Sequence, residues 1–271
     1  MRQNAFACYE SAESFPLDGH PANQPANSET PQKLCQAFEA GKAFGEFQSL
    51  LVDLPGDRLV ETIPHFHNTR KRFDALVAAS EADRANRAVS AQAEIAWALK
   101  QESMVDIVLS ALAKKRIPER VTHNDTKFNN VMLDVDSGQA MCVVDLDTVM
   151  PGSSLYDFGD MIRTTTSPTL EDELDLSKVR MCQPMYKALA RGYLEAAGGF
   201  LTKQERALIA FSGRLITYTI GLRFLTDYLE GDNYFRVHRA QHNLDRCRTQ
   251  FRLVESIAKQ EESMQKFADS I

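Results

Sequence analysis

The sequence predicts an α+β fold that is mostly α-helical and contains one small β-hairpin. Three observations lead to this prediction. Helical periodicity dominates residues 32–115 and 155–271, two short β-prone segments lie between these regions, and a turn signal separates the two segments. With 44% hydrophobic and 25% charged residues, the 271-residue chain has the composition of a globular protein. Its length alone allows one large domain or two small ones.

The first helical region follows a predicted loop. Residues 18–31 concentrate Pro, Asn, Ser and Gly, which favour turns. After them, apolar side chains recur at helical spacing and predict an amphipathic helix up to about Leu54, where a Pro-Gly pair follows. Residues 70–115 are rich in Ala, Glu, Arg and Lys, which predicts further helices with a break among them, ended by Pro118.

The helical periodicity of the sequence stops in residues 120–147, where β-prone segments take its place. The β-prone segments 131–133 and 141–144 flank the Asp-Ser-Gly sequence at 136–138, which is typical of a hairpin turn. Residues 120–147 are therefore predicted to form a loop followed by a β-hairpin.

Helical patterning returns after the hairpin. Thr202 and Glu205 have the spacing of a capping box and predict the start of an apolar helix that extends to Leu229. A last helix is predicted from about Tyr234 to Ala268.

Charge and hydropathy disfavour several classes of function. The net charge of −6, from 31 Lys and Arg against 37 Asp and Glu, argues against nucleic acid or an anionic membrane as a partner. No stretch approaches the ~18 apolar residues of a membrane span, and the N-terminus shows no secretory signal. The five cysteines include no C-x-x-C pair, which disfavours a disulfide scaffold or zinc site. We expect a cytoplasmic protein with small-molecule partners, and its oligomeric state stays open.

The pattern of polar residues around the hairpin points to phosphoryl transfer. His123, Asp125 and Asn130 form the sequence H-x-D-x-x-x-x-N, and Asp145 ends the second β-prone segment. A carboxylate on a rigid loop, Asp125, can accept the proton of an attacking hydroxyl. Asn130 and Asp145 offer the hard oxygen ligands that Mg²⁺ prefers, and the hairpin brings them together. Lys127 can offset charge on the transferred phosphoryl group.

The loop pattern alone also fits a simpler interpretation. Asp and Asn are frequent in turns, and His123 fits a hydrogen-bonded core histidine equally well. The addition of the hairpin and of Asp145, in the right order, favours the phosphotransferase. In the catalytic loop of protein kinases, an Asp base and an Asn metal ligand have this same spacing.

The sequence resembles the aminoglycoside phosphotransferase and choline kinase superfamily, which has this loop pattern and a metal-binding Asp at the end of the next strand. Four longer segments resemble the bacterial N-acetylhexosamine 1-kinase group within it: 40–45, 61–69, 145–152 and 156–160. The resemblance implies the C-terminal lobe of a protein-kinase-like phosphotransferase, spanning residues 17–271.

This resemblance also implies an activity, which is ATP- and Mg²⁺-dependent phosphorylation of a sugar hydroxyl, most simply the anomeric hydroxyl of an N-acetylhexosamine. Asp125 would be the base, Asn130 and Asp145 would bind magnesium with the ATP co-substrate, and His123 would brace the loop. Asp147 would contact metal, substrate or a backbone group. Within the similar segment 156–160, structural support of the loop is the favoured role.

One departure from the family pattern concerns ATP. Kinases of this fold have an N-terminal lobe before the hinge, and residues 1–16 resemble a remnant of that hinge. Neither G-x-x-x-x-G-K-[ST] nor G-x-G-x-x-G occurs in the sequence. We therefore expect that the N-terminal lobe is missing and that the chain alone binds ATP poorly and is inactive.

Arg223 and Asp227 are further candidates, for substrate binding. They are four positions apart in an apolar segment and share a helix face, so they would either grip substrate hydroxyls or form a structural ion pair. Two other functions stay open: a non-catalytic protein that binds a sugar or another partner, and a kinase for choline, homoserine or an aminoglycoside.

Overall fold

A computed structural model describes residues 30–271, except for the side chain of Pro31. The hinge-like segment 1–16 and most of the predicted loop at 18–31 lie outside the described residues. The described chain is mostly helical, as predicted, and four short strands form two separate antiparallel pairs. The helices are α1 (Pro31–Leu50), α2 (Thr69–Ala82), α3 (Gln92–Leu99), α4 (Ile107–Ala113), α5 (Ser154–Thr165), α6 (Gln183–Ala197), α7 (Lys203–Ala207), α8 (Ile209–Glu230) and α9 (His242–Asp269).

The strands place two loops side by side. Strand β1 (Arg120–Thr122) pairs with β4 (Met150–Gly152), and β2 (Val131–Leu133) pairs with β3 (Ala140–Val143) as the predicted hairpin. The loop at 123–130 therefore runs from the first pair to the second, and the segment at 144–149 runs back. The two strand pairs, β1 with β4 and β2 with β3, therefore fix both loops at each end.

The helix α8 forms the centre of the core. Most of its side chains are buried on all sides, which is typical of a helix enclosed by others. The helices α2, α5 and α9 pack around it. A second apolar cluster lies where α1 and α6 cross, and it includes Phe44, Phe158 and Tyr193. No helix among residues 30–271 is both long and apolar enough to cross a membrane.

Two glycines allow α1 and α6 to approach closely. A Cβ atom on Gly41 would overlap the carbonyl oxygen of Leu189, and one on Gly192 would overlap the carbonyl oxygen of Phe38. The two helix backbones are therefore in contact, and no larger side chain fits between them.

The capping box is confirmed, but the helix that it begins is short. Thr202 accepts a hydrogen bond from the backbone of Glu205, whose side chain accepts one from the backbone of Thr202. This box begins α7, and the long apolar helix starts separately at Ile209. That helix ends at Glu230, followed by Gly231 with φ 101°.

The predicted start of the last helix is wrong. The helix begins at His242, not Tyr234, because Asp227 fixes the intervening chain as a turn. Its carboxylate accepts hydrogen bonds from the backbone N–H groups of Asn233, Tyr234 and Phe235 at 2.9, 2.7 and 2.9 Å. Asp227 lies near the end of the preceding helix, and helical periodicity does not register this contact of one side chain with the backbone that follows.

Gly192→Ala should lower stability by about 1–3 kcal/mol or more, because the added methyl group overpacks the crossing of α1 and α6. Thermal and urea denaturation would measure the loss. Gly199→Ala is the matched control, since no atom lies within 4 Å of a Cβ built there. Equal stability of the two variants would contradict this account of the crossing.

Candidate active site

The backbone of the loop at 123–130 is bound to the first turn of α5. The N–H groups of His123 and Asn124 donate to the two carboxylate oxygens of Asp157, at 2.9 and 2.7 Å. The hydroxyl of Thr126 donates to the backbone oxygen of Asp157 at 2.7 Å. One residue therefore holds the loop at three positions, His123, Asn124 and Thr126.

Asp157 is buried, and its carboxylate connects the loop to two further helices. The amide of Gln48 on α1 donates to it at 2.6 Å, and the hydroxyl of Tyr193 on α6 donates to the amide oxygen of Gln48 at 2.6 Å. Burial raises the pKa of Asp157 to about 6, although the hydrogen bonds from His123, Asn124 and Gln48 oppose that rise.

His123 is fully buried, and its ring links the two loops. Its Nδ1 atom accepts the N–H of Asp125 at 3.3 Å, so the proton is on Nε2, which donates to the backbone oxygen of Val144 at 2.9 Å. The edges of Phe44 and Phe47 on α1 pack around the ring. The orientation of His123 is therefore fixed from three sides.

Asn124 turns the chain immediately before Asp125. It has a left-handed backbone with φ 65°, which Asn adopts more readily than most residues. Its side-chain amide donates to the backbone oxygens of Thr148 at 3.0 Å and Thr122 at 3.2 Å. The hydroxyl of Thr148 in turn donates to the backbone oxygen of His123 at 2.7 Å. The sequence reasoning did not single out Asn124 or Thr148, and an Asn inside the loop pattern was the one available signal.

The structure brings Asp125, Lys127 and Asn130 together. A carboxylate oxygen of Asp125 lies 2.8 Å from the ammonium of Lys127. The amide nitrogen of Asn130 donates to the backbone oxygen of Asp125 at 2.7 Å and to its carboxylate at 3.2 Å. The Asp125 side chain is 21% exposed, so it is oriented by its neighbours but open to solvent.

Asp145 lies next to Asn130 across the hairpin. The N–H of Val144 donates to the backbone oxygen of Asn130 at 2.9 Å, and the following Asp145 is exposed with a left-handed φ of 61°. Asp147, in the short turn that follows, is also exposed.

The side chains of Asn130 and Asp145 carry oxygen atoms of the chemical type that binds Mg²⁺. One amide oxygen and one carboxylate are hard ligands, and Mg²⁺ in phosphoryl-transfer sites is completed by phosphate oxygens and water. Because the amide nitrogen of Asn130 is directed at Asp125, the amide oxygen is left for a metal. Residues 30–271 contain no cluster of three or more His, Cys, Asp or Glu that would hold a metal by itself.

Arg223 and Asp227 have separate surroundings within α8. Both oxygens of Asp227 accept hydrogen bonds from the turn at 233–235, and Asn243 donates to one of them at 2.8 Å. The guanidinium of Arg223 lies over the rings of Phe66, Tyr234 and Phe235, at 5.0, 5.5 and 5.3 Å from their centroids. No ion pair between them appears in the described chain.

The segment 65–67 connects Arg223 to the loop. Phe66 contacts Arg223, and the next residue, His67, donates through Nε2 to the backbone oxygen of Asn124 at 2.9 Å. The adjacent residues Phe66 and His67 therefore connect Arg223 to Asn124, the residue before Asp125. Burial lowers the pKa of Arg223, and the nearby Arg72 lowers it further.

Asp160, one turn beyond Asp157, lies in an ion-pair chain. Its carboxylate contacts Arg163 at 2.8 Å, and Arg163 contacts Glu171 at 2.8 Å. The side chains of Asp160 and Arg163 are both largely buried, so this chain fixes the end of α5 against the irregular segment that follows.

A comparison with known protein families identifies the family of the chain. The profile of the phosphotransferase enzyme family, abbreviated APH, matches residues 17–190, which is more than half of the chain. The chain belongs to the phosphotransferase enzyme family. Within the superfamily of aminoglycoside phosphotransferases and choline kinases, this membership implies an enzyme that transfers phosphoryl groups to small molecules. The matched range contains the loop, the hairpin and α5.

Asp157→Asn should destabilise this family member by about 3 kcal/mol, because an amide presents an N–H group to one of two buried backbone donors. Urea denaturation would measure the difference. Asp136→Asn, in the exposed hairpin turn, is the matched control and should change stability by about 0.5 kcal/mol or less. A loss no larger than that of the control would disprove the anchoring role of Asp157.

The acid stability of the protein should depend on His67. Burial lowers the pKa of His67 from 6.5 to about 4. Between these values the unfolded chain binds a proton that the folded chain excludes, so stability is lost as the pH falls. The loss from this group is about 3 kcal/mol between pH 6.5 and 4.

Chemical denaturation of wild type and His67→Gln across that range would measure this effect. The stability advantage of wild type over the variant should shrink as the pH falls. The substitution of the exposed His238 by Gln serves as the control for removing an imidazole from the surface. If the difference in free energy of unfolding between wild type and His67→Gln stays constant with pH, His67 is not a buried neutral imidazole.

Proposed function

We propose that this phosphotransferase moves the γ-phosphoryl group of ATP, with Mg²⁺, to the anomeric hydroxyl of an N-acetylhexosamine. The observation that carries the proposal is the oriented carboxylate of Asp125, beside Lys127 and Asn130, on a loop whose backbone is bound to Asp157. A rigid, partly exposed carboxylate beside a cation is what an attacking hydroxyl requires.

Asp125 acts as the base in this proposal. One carboxylate oxygen is held by Lys127 and Asn130, and the side chain remains accessible to an acceptor hydroxyl. The carboxylate accepts the hydroxyl proton as the oxygen attacks phosphorus. His123 acts indirectly, since its Nδ1 atom binds the N–H of Asp125 and keeps the loop in one conformation.

Asn130 and Asp145 would hold Mg²⁺ together with the nucleotide phosphates. Mg²⁺ bound there would neutralise the charge that develops on the phosphate oxygens. Lys127 moves from its contact with Asp125 toward the transferred group, which its 48% exposed side chain permits. We expect weak ATP binding by this chain alone, and slow turnover that needs a high ATP concentration, because the chain contains neither of the two glycine-rich phosphate-binding patterns.

The surroundings of Arg223 support a sugar rather than a cationic acceptor. Arg223 and Arg72 have no ion-pair partner among residues 30–271, and Arg223 lies among three aromatic rings. Aromatic rings pack against sugar faces, and guanidinium groups donate to sugar hydroxyls. Choline or an aminoglycoside would be repelled by this pair of cations. Asp147 supplies a carboxylate that accepts hydrogen bonds from sugar hydroxyls. Asp227 does not take this role, because its carboxylate already accepts hydrogen bonds from the turn at 233–235.

Incubating the full chain with millimolar ATP, Mg²⁺ and candidate acceptors tests the proposal. Phosphorus NMR would detect a sugar 1-phosphate from N-acetylglucosamine or N-acetylgalactosamine, and no product from choline, homoserine or kanamycin. Calorimetric binding of N-acetylhexosamines with no turnover even at saturating ATP would instead favour a non-catalytic sugar-binding protein. Product from kanamycin alone would refute the sugar assignment.

Asp125→Asn should reduce whatever turnover is present by at least about a hundredfold, because general-base catalysis contributes on the order of 10²–10⁴. Its melting temperature should stay near that of wild type, since the loop backbone is held by Asp157 and not by the Asp125 side chain. Asp136→Asn serves as the matched control and should retain full turnover. Near-wild-type kcat in Asp125→Asn would exclude the base assignment.

A further inference from the structure

A cavity of about 880 Å³ lies beside the catalytic loop, and it shares Phe66 with the proposed acceptor side. Its walls come from segment 61–68, from residues 109–119 and from β4, and Asn124 forms part of its inner wall. Asp125, Lys127, Asp145 and Asp147 do not line it. The volume is in the range of small-molecule sites.

Two side chains of this cavity carry buried polar atoms without a hydrogen-bond partner. They are the Nδ1 atom of His67 and the hydroxyl of Tyr156, and both residues are more than nine-tenths buried. Such atoms destabilise a folded protein by about 1–3 kcal/mol each when left unsatisfied. A bound group that satisfies both is a direct explanation for their presence in one wall.

The chemistry of the two atoms specifies that group. Nε2 of His67 donates to Asn124, so Nδ1 is an acceptor, while Tyr156 can donate its hydroxyl proton. The two rings are close, with centroids 5.5 Å apart. Hydroxyl groups can accept from Tyr156 and donate to His67, whereas a carboxylate only accepts and an ammonium only donates. The inner wall therefore favours a polyhydroxylated ligand.

The rim of the cavity is positively charged. Lys115 and Arg116 line it, and no ion pair or side-chain hydrogen bond engages either cation in the described part of the chain. The two carboxylates of the rim, Glu61 and Glu119, are both bound to Arg58, at 2.9 and 2.6 Å. Since two carboxylates share one guanidinium, the five charges at the mouth sum to one net positive charge, which suits a phosphate group.

We infer that this cavity is a second ligand site that binds a phosphorylated sugar, with the sugar hydroxyls at His67 and Tyr156 and the phosphate at Lys115 and Arg116. Because His67 is bonded to Asn124, an occupied cavity is coupled directly to the residue before Asp125. The site itself is independent of whether the chain catalyses phosphoryl transfer.

Isothermal titration calorimetry of the full chain with N-acetylglucosamine 1-phosphate and with glucose 6-phosphate tests this inference. Asp125→Asn should bind both probes as wild type does, within about twofold. Tyr156→Phe should weaken both about fivefold without lowering the melting temperature, because the deleted hydroxyl has no partner in the free protein.

The double variant Lys115→Gln/Arg116→Gln should weaken both probes at least about tenfold, since it removes two charged contacts. These residues are exposed, so the variant tests the site even if Tyr156→Phe fails to fold. Lys114→Gln, next to them but outside the cavity wall, should bind as wild type does. No measurable binding at millimolar probe would overturn the inference. So would binding that is lost in Asp125→Asn and retained in the rim and Tyr156 variants, because it would place the probe at the catalytic loop.

Discussion

The fold and the candidate active site meet at the buried carboxylate of Asp157. Two backbone N–H groups of the loop and the amide of Gln48 converge on it, and Tyr193 fixes that amide in turn. Three helices and the loop therefore share one carboxylate. One oxygen accepts from His123 and Gln48 and the other accepts from Asn124, so an apolar residue at this position would leave the loop backbone unsatisfied and buried.

This arrangement separates the rigid part of the site from the adaptable part. The placement of Asp125 relative to Asn130 and Asp145 is set by backbone hydrogen bonds and by the two strand pairs. The surroundings of Arg223 come from side chains on α8 and on the segments at 65–67 and 234–235. The proposed acceptor side can therefore change in sequence while the proposed phosphate side stays the same.

The features of the fold that depend on residue spacing and turn signals followed from the sequence, and those that depend on single side-chain contacts did not. The hairpin and the capping box depend on residues a few positions apart, and the structure contains both. Asn130 and Asp145 came together because a hairpin makes distant positions into neighbours. In contrast, the donation of Gln48 to Asp157 and the turn bound to Asp227 join different elements through single side chains. Neither contact has a periodic signature, so neither could be predicted.

The separations along the chain at Asp157 also bear on the order of folding. Gln48 and Asp157 are 109 positions apart, and Gln48 and Tyr193 are 145 apart, whereas the ends of the hairpin are close neighbours. Contacts between distant positions are limited by the entropy of loop closure and form slowly. We therefore expect the hairpin to form before the helices that carry Gln48 and Tyr193 dock. Until they dock, Asp157 lacks the hydrogen bond from Gln48, so the loop is fully held only after these tertiary contacts have formed.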